Sequence, residues 1–293
     1  MPGMSILEPV RARLDGLGAA VTRYLRARSP RYLAGACAVV LCVVTLCLPS
    51  AYSTEWPGLT RDVLGTVDVD GGTEHVIDVS GAATHKDSGR LLLVTVSANG
   101  VPGYPVTNAE VVWALLDPAR TVMPREAVVA PGQTTGEYRE ETSKEMSSSQ
   151  EKAVKAAKRF LKSQGFDGSA LAKLDVTMHV DDIGGPSAGM MYTLGLIDKL
   201  TPEDETGGKT IAGTGTISAS GKVGAIGGIR LKMRGAKRDG ATWFLAPASN
   251  CDEVVGHVPA GLRDVKVSTI DEAYEALVAI GKGKGADLPH CTA

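Results

Sequence analysis

A serine set among glycines and a lysine set among small apolar residues are the parts of this chain best suited to breaking a covalent bond. Ser187 stands in Asp182-Ile183-Gly184-Gly185-Pro186-Ser187-Ala188-Gly189. Lys232 ends Ile226-Gly227-Gly228-Ile229-Arg230-Leu231-Lys232, 45 positions later. A serine hydroxyl is a weak nucleophile at neutral pH, and it needs a base within hydrogen-bond reach and donors for an oxyanion. Ser187 opens a predicted helix over 187–200, where free backbone N–H groups and the positive end of the helix dipole meet. Gly184 and Gly185 let the chain approach a carbonyl closely, and Pro186 suits a first helical turn. A lysine serves as the base if it is neutral. Burial disfavours the ammonium, and Ala225 to Leu231 supply small and apolar surroundings.

Other readings of the same residues stay open at this point. Gly185-Pro186-Ser187-Ala188-Gly189 also fits the G-x-S-x-G elbow of α/β-hydrolases. That esterase reading requires a downstream histidine, and His257 and His290 are the candidates. Against it, Asp181-Asp182-Ile183-Gly184-Gly185 stand where an apolar strand should run straight into the elbow. A glycine-rich helix start without chemistry fits the pentapeptide as well. No C-x-x-C or H-E-x-x-H spacing occurs, so no zinc site is expected. Gly215 to Lys222 fails the P-loop spacing and is followed by Val223 rather than Ser or Thr, so neither ATP nor another cofactor is expected.

The elements that must hold the pair follow from hydrophobic periodicity. Residues 56–140 read as a β-rich segment, with strands at 75–79 and 90–97 and a short helix at 107–117. A helix over 142–164 has Ala153, Ala156, Ala157, Phe160 and Leu161 on one stripe, with Ser147 or Ser148 as its cap. Beyond Gly165 the pattern is α/β. Strands are predicted at 174–180, 209–217, 242–245 and 264–268, and helices at 229–238 and 270–280. Ser220-Gly221 suits a hairpin. His179 reads as a polar strand residue, Lys222 as a solvated hairpin tip, Lys237 as solvent-facing and Trp243 as core.

Composition sets the outer limits. The chain has 293 residues, 43% hydrophobic and 22% charged, which excludes global disorder. A net charge of −2 and an aromatic content of 4% argue against a nucleic-acid partner. Residues 1–31 carry Arg11, Arg13, Arg23, Arg26, Arg28 and Arg31 against Glu8 and Asp15, and no charge appears between Arg31 and Glu55. The apolar run within 32–54 is long enough to cross a bilayer, which takes about 20 residues. The basic leader then stays cytoplasmic and the rest lies outside. A cleaved signal peptide ending near Ala51 is the alternative. Cys37, Cys42 and Cys47 read as apolar residues of the run, whereas Cys251 and Cys291 lie where an oxidising compartment permits a disulfide.

Taken together, Gly185-Pro186-Ser187-Ala188-Gly189, Gly213-Thr214-Gly215-Thr216-Ile217 and Gly221 to Lys232 resemble the proteolytic domain of Lon proteases over residues 145–282. The resemblance implies an α/β (α+β) Lon-type fold and a serine-type endopeptidase acting on proteins or peptides. It implies Ser187 as nucleophile, Lys232 as general base, Thr214 as a residue holding the lysine, and assembly into a homohexameric ring. The apolar run, Pro57-Gly58-Leu59-Thr60, the stretch from Ser80 to Val96, Trp113 to Pro118 and Met146 to Gln150 are similar to membrane-anchored, PDZ-bearing Lon-like proteases of Gram-positive bacteria. In those, the PDZ domain follows the helix after Gln150. Here the interval before the serine strand is too short for a fold of roughly 80–100 residues, which keeps open a non-catalytic Lon-fold scaffold tethered to the membrane. Gly184 stands where Lon proteases usually carry aspartate. The expected order is therefore a basic leader (1–31), a transmembrane helix (32–54), a β-rich extracytoplasmic segment (56–140), a Lon-like domain (142–282) and a tail (283–293).

Overall fold

The computed structural model describes residues 22–24, 26–69, 71–179 and 184–292. Arg11, Arg13, Glu8 and Asp15 of the leader, and Asp181 and Asp182 before the serine, lie outside the described residues.

Strand Arg90–Asn99 explains the layering. Its leucines are buried on alternate sides. Leu91 and Leu93 join one apolar cluster, while Leu92 and Val94 join another. A strand apolar on both faces needs cover on both. We label the strands β1 (Tyr52–Asp62), β2 (Thr66–Val69), β3 (Gly72–His75), β4 (Ile77–Ser80), β5 (Arg90–Asn99), β6 (Thr121–Pro124), β7 (Asp175–Met178), β8 (Thr210–Gly213), β9 (Thr216–Ile217), β10 (Val223–Gly224), β11 (Trp243–Pro247) and β12 (Arg263–Val267). The helices are α1 (Pro30–Cys47), α2 (Asn108–Leu116), α3 (Thr135–Ser163), α4 (Gly168–Ala172), α5 (Gly189–Leu200), α6 (Ile229–Arg238), α7 (Cys251–Val254) and α8 (Ile270–Gly281).

The main sheet has six strands in the order β12-β11-β8-β5-β1-β6. The four from β12 to β5 are parallel, and β1 is antiparallel to both β5 and β6. Helices α3, α5 and α8 contribute to the cluster on one face and α6 to the cluster on the other. Segment 56–140 thus supplies β5, β6 and most of β1 to the same sheet as the strands of 142–282, and Leu91 shares a core with Met190. The mixed α/β class read from the sequence holds.

Several boundaries differ from those read in the sequence, each for a local reason. Helix α3 begins at Thr135 rather than at 142, because Thr134 and Glu137 form a reciprocal capping box. The predicted strand 209–217 breaks at Thr214 and Gly215: β8 joins the main sheet, whereas β9 pairs with β10. The predicted strand 75–79 is two strands meeting at buried Val76, with β3 paired to β2 and β4 to β7. The expected transmembrane helix 32–54 is α1, capped by Ser29 and ending at Cys47. Residues 52–54, expected in the span, belong to β1, where Ser53 and Thr54 are buried.

Among the described residues α1 is the one helix long and apolar enough to cross a membrane, and none of it is buried in the protein. Its C-terminal end is tied to α2. Asn108 Nδ2 donates to the Thr45 carbonyl at 2.9 Å, and the Asn108 amide to that of Leu48 at 3.1 Å. Helix α2 shows Val112, Trp113, Leu115 and Leu116 to the outside. At the other end of the chain, the expected tail is docked. Pro289 accepts from the Lys266 amide, Cys291 N donates to Asp264, and Cys291 forms a disulfide with Cys251.

Candidate active site

Helices α5 and α6 deliver the serine and the lysine from opposite faces of the sheet. The α-helical part of the predicted 187–200 helix begins at Gly189, and Ser187 sits in a 3-10 turn, Pro186–Ala188, immediately before it. Gly185 enters this turn at φ 86°, a left-handed backbone that favours glycine. Gly184 lies against α3, where a Cβ would stand 3.3 Å from Thr142 Cβ. Ser149 of α3 donates to the Pro186 carbonyl at 3.1 Å. Ser187 itself is half-buried.

The corner between β8 and β9 holds the turn from below. The Gly215 amide donates to the Ser187 carbonyl at 2.8 Å, and the Met190 amide to the Gly215 carbonyl at 3.0 Å. Thr214 Oγ1 donates to the same Ser187 carbonyl at 3.1 Å. Gly215 is required, because a Cβ there would meet Val223 at 2.9 Å. The break in the predicted strand 209–217 is therefore the feature that grips the serine.

Lys232 is 4% exposed, on the inner side of α6. Its Nζ lies 3.4 Å from Thr214 Oγ1. Burial lowers its pKa to about 8, and the negative charge of Glu55 works in the opposite direction. Glu55 lies on β1, and burial raises its own pKa against the pull of Lys232. Half-buried and within electrostatic reach of the amine, Glu55 is a site residue that sequence reading missed. Its signal was weak: a lone acid in a segment 177 positions from the lysine.

A second residue missed in the sequence is Asn250. It is 3% exposed and clamps the loop before α6, accepting from the Ile226 amide at 3.0 Å and donating to the Ile226 carbonyl at 2.9 Å. Gly228 then starts α6 in the left-handed region at φ 67°. A Cβ there would stand 2.8 Å from Val96 Cγ2.

Beside Pro186 runs an open cleft of about 380 Å³, lined by Ser149, Lys152, Thr216, Ile217, Lys222 and Val223 among others. Lys222 is exposed on the hairpin, as its position in the sequence predicts. The remaining singled-out residues lie in other settings. His179 pairs with Glu74 at 2.9 Å, Lys237 donates to the Gly261 carbonyl at 3.0 Å, and Trp243 is half-buried under Arg263. His257 and His290, required by the esterase reading, are exposed. The His257 ring faces the Val255 carbonyl at 3.0 Å, and neither histidine bonds Ser187 among the described residues.

Residues 114–280 match the Lon protease (S16) C-terminal proteolytic domain. The chain belongs to this family. Curated relatives agree. Lon protease 2 of Herpetosiphon aurantiacus is 32% identical over 154 residues, covering 50% of this chain and 19% of that protein. The Lon protease of Azospirillum brasilense is 31% identical over 161 residues, 51% of this chain and 19% of its own. That of Clostridioides difficile is 34% identical over 116 residues, 37% and 14% respectively. The chain thus spans about a fifth or less of the length of these Lon proteases. The Lon match takes in Ser187, Thr214, Lys232 and Asn250 but starts after β1, so Glu55 lies outside it.

Proposed function

We propose that this protein is a membrane-anchored, ATP-independent serine endopeptidase that cleaves proteins or peptides with Ser187 and Lys232. The observation that carries the reading is the buried Lys232 amine, lowered to about 8 and linked through one hydroxyl, that of Thr214, to the backbone of Ser187. A lysine kept partly neutral near physiological pH is suited to general-base work. Ser187 Oγ attacks the scissile carbonyl as Lys232 takes its proton. Backbone N–H groups around Gly185 and Ser187 receive the oxyanion. Lys232 then delivers the proton to the leaving amine, and water releases the acyl-enzyme. The cleft beside Pro186 offers an extended peptide a place next to the nucleophile.

Three features support the location. Helix α1 is apolar and projects free of the domain, with exposed Arg23, Arg26, Arg28 and Arg31 at its N-terminal end. Helix α2, bonded to the end of α1, adds outward Trp113, Leu115 and Leu116, an apolar set suited to a membrane interface. The Cys251–Cys291 disulfide suits an oxidising compartment. In this reading the N-terminus is cytoplasmic, the catalytic domain extracytoplasmic, and the assembly a homohexameric ring as in the family. Substrate then reaches Ser187 without a PDZ module.

The test is casein cleavage by the full chain in detergent, with Ser187→Ala and Lys232→Ala as partners. Loss of cleavage in both is expected. Cleavage retained by either variant would sink the dyad.

A further inference from the structure

Away from the active site, the far end of α5 meets two loops at a cluster of acids. Asp198 lies in the last turns of α5, Glu205 in the loop between α5 and β8, and Asp87 in the loop between β4 and β5. One carboxylate oxygen of each lies within 4.8 Å of one oxygen of each of the others. Asp198 is 2% exposed and Glu205 1%. Three buried carboxylates so close repel one another unless a proton or a cation intervenes.

Neighbouring donors fix two of the acids without saturating the cluster. Asp87 accepts from the Thr206 amide and the Gly89 amide, both at 2.8 Å, and from the Thr206 hydroxyl. Glu205 Oε1 accepts from Tyr274 Oη at 3.1 Å and from the Thr201 hydroxyl. Asp198 Oδ2 and Glu205 Oε2, both buried, have no donor among the described residues. A buried polar atom without a partner is costly, and native proteins supply one. Lys199 is the cation acting on Asp198. Asp78 and Asp62 draw on the same lysine, so the cluster keeps an excess of negative charge that a divalent ion would offset.

We propose that Asp87, Asp198 and Glu205 hold a calcium ion that ties the C-terminal end of α5 to the loops before β5 and β8. Hard carboxylate oxygens suit calcium or magnesium, and coordination habit separates the two. Magnesium demands near-ideal octahedral geometry and keeps several waters, whereas calcium accepts an irregular set of protein oxygens. A buried cluster of carboxylates already fixed by other donors suits calcium. The negative end of the α5 dipole adds to the attraction. The site lies about 14 Å along α5 from Gly189, so the ion acts on the scaffold behind the serine turn and not on the reacting atoms. Sequence spacing gave no sign of it, because residues 87, 198 and 205 converge only on folding. The rival arrangement is a shared proton: burial, then Asp87 and Glu205, raise the Asp198 pKa to about 9.

The experiment uses the full chain in detergent, stripped with a chelator. Calcium at about ten times its dissociation constant should raise the melting temperature by about 3–5 °C, and magnesium by less. Terbium should bind and luminesce through Tyr274, and calcium should displace it. Asp198→Asn and Glu205→Gln should each abolish both responses. If a variant fails to fold, the wild-type melting shift and terbium signal still decide. An unchanged melting temperature with no terbium signal would overturn the proposal in favour of the shared proton. A calcium shift that survives in both variants would equally overturn it.

Discussion

Lys232 Nζ lies 3.4 Å from Thr214 Oγ1, and the same hydroxyl donates to the carbonyl of Ser187 at 3.1 Å. A single side chain at the end of β8 therefore registers the candidate base against the turn that carries the candidate nucleophile. Removing that hydroxyl leaves a buried amine without its neutral partner. Thr214→Val should lower kcat by about 10–100-fold, the equivalent of a hydrogen bond to a charged group at about 1.5–3 kcal/mol. Thr214→Ser should recover most of the rate. Equal activity of the valine variant and wild type would show that the bridge does not position the base.

The two reacting groups should show far larger effects. Ser187→Ala and Lys232→Ala should each reduce kcat by at least about 10³-fold, and the double variant should be scarcely worse than either single one. Lys232→Arg should be as inactive as the alanine variant, since guanidinium does not give up its proton in this range. A measurable rate in the arginine variant, on casein or a fluorogenic peptide, would contradict a neutral amine as base.

The pH profile follows from burial. Lys232 acts as a base only when unprotonated, and its pKa is lowered from 10.5 to about 8. Below that value kcat/KM should fall about tenfold per unit, and above it the rate should level off. Glu55 raises the lysine pKa, so Glu55→Gln removes a stabiliser of the ammonium and should move the acid limb to lower pH. A limb that moves upward, or stays fixed, would show that Glu55 does not reach the amine.

The C-terminal clamp carries a stability prediction. The Cys251–Cys291 bond closes a loop of 40 positions and lies next to Asn250, which holds the backbone of Ile226. Cys251→Ser should cost about 2–4 kcal/mol in denaturant unfolding. Asn250→Ala should cost about 1–3 kcal/mol and also slow catalysis, because it frees the loop that leads into α6. An Asn250→Ala variant with unaltered stability and rate would show that the loop is held by other means.

Much of the catalytic half was legible one residue at a time. Helix α6 runs over the predicted 229–238 because Gly228 and the apolar stripe Ile229, Met233 and Ala236 are local signals. The Gly-Pro-Ser turn and the free apolar helix were likewise written in spacing and composition. Errors fell where long-range pairing overrode local pattern. The run 209–217 reads as one strand from its Thr and Ile positions, yet Thr214 and Gly215 turn out of the sheet to bond Ser187.

By itself, then, the sequence determined the family and the apolar run and singled out the candidate serine and lysine, because each rests on a short contiguous motif. Only the tertiary structure decided that the lysine is buried, that Glu55 from β1 faces it, that Asn250 fastens its loop, and that Asp87, Asp198 and Glu205 converge. Each of these depends on sheet order. Placing β1 beside β5, under α6, brings residues 55 and 232 together, and no periodicity along the chain encodes that neighbour.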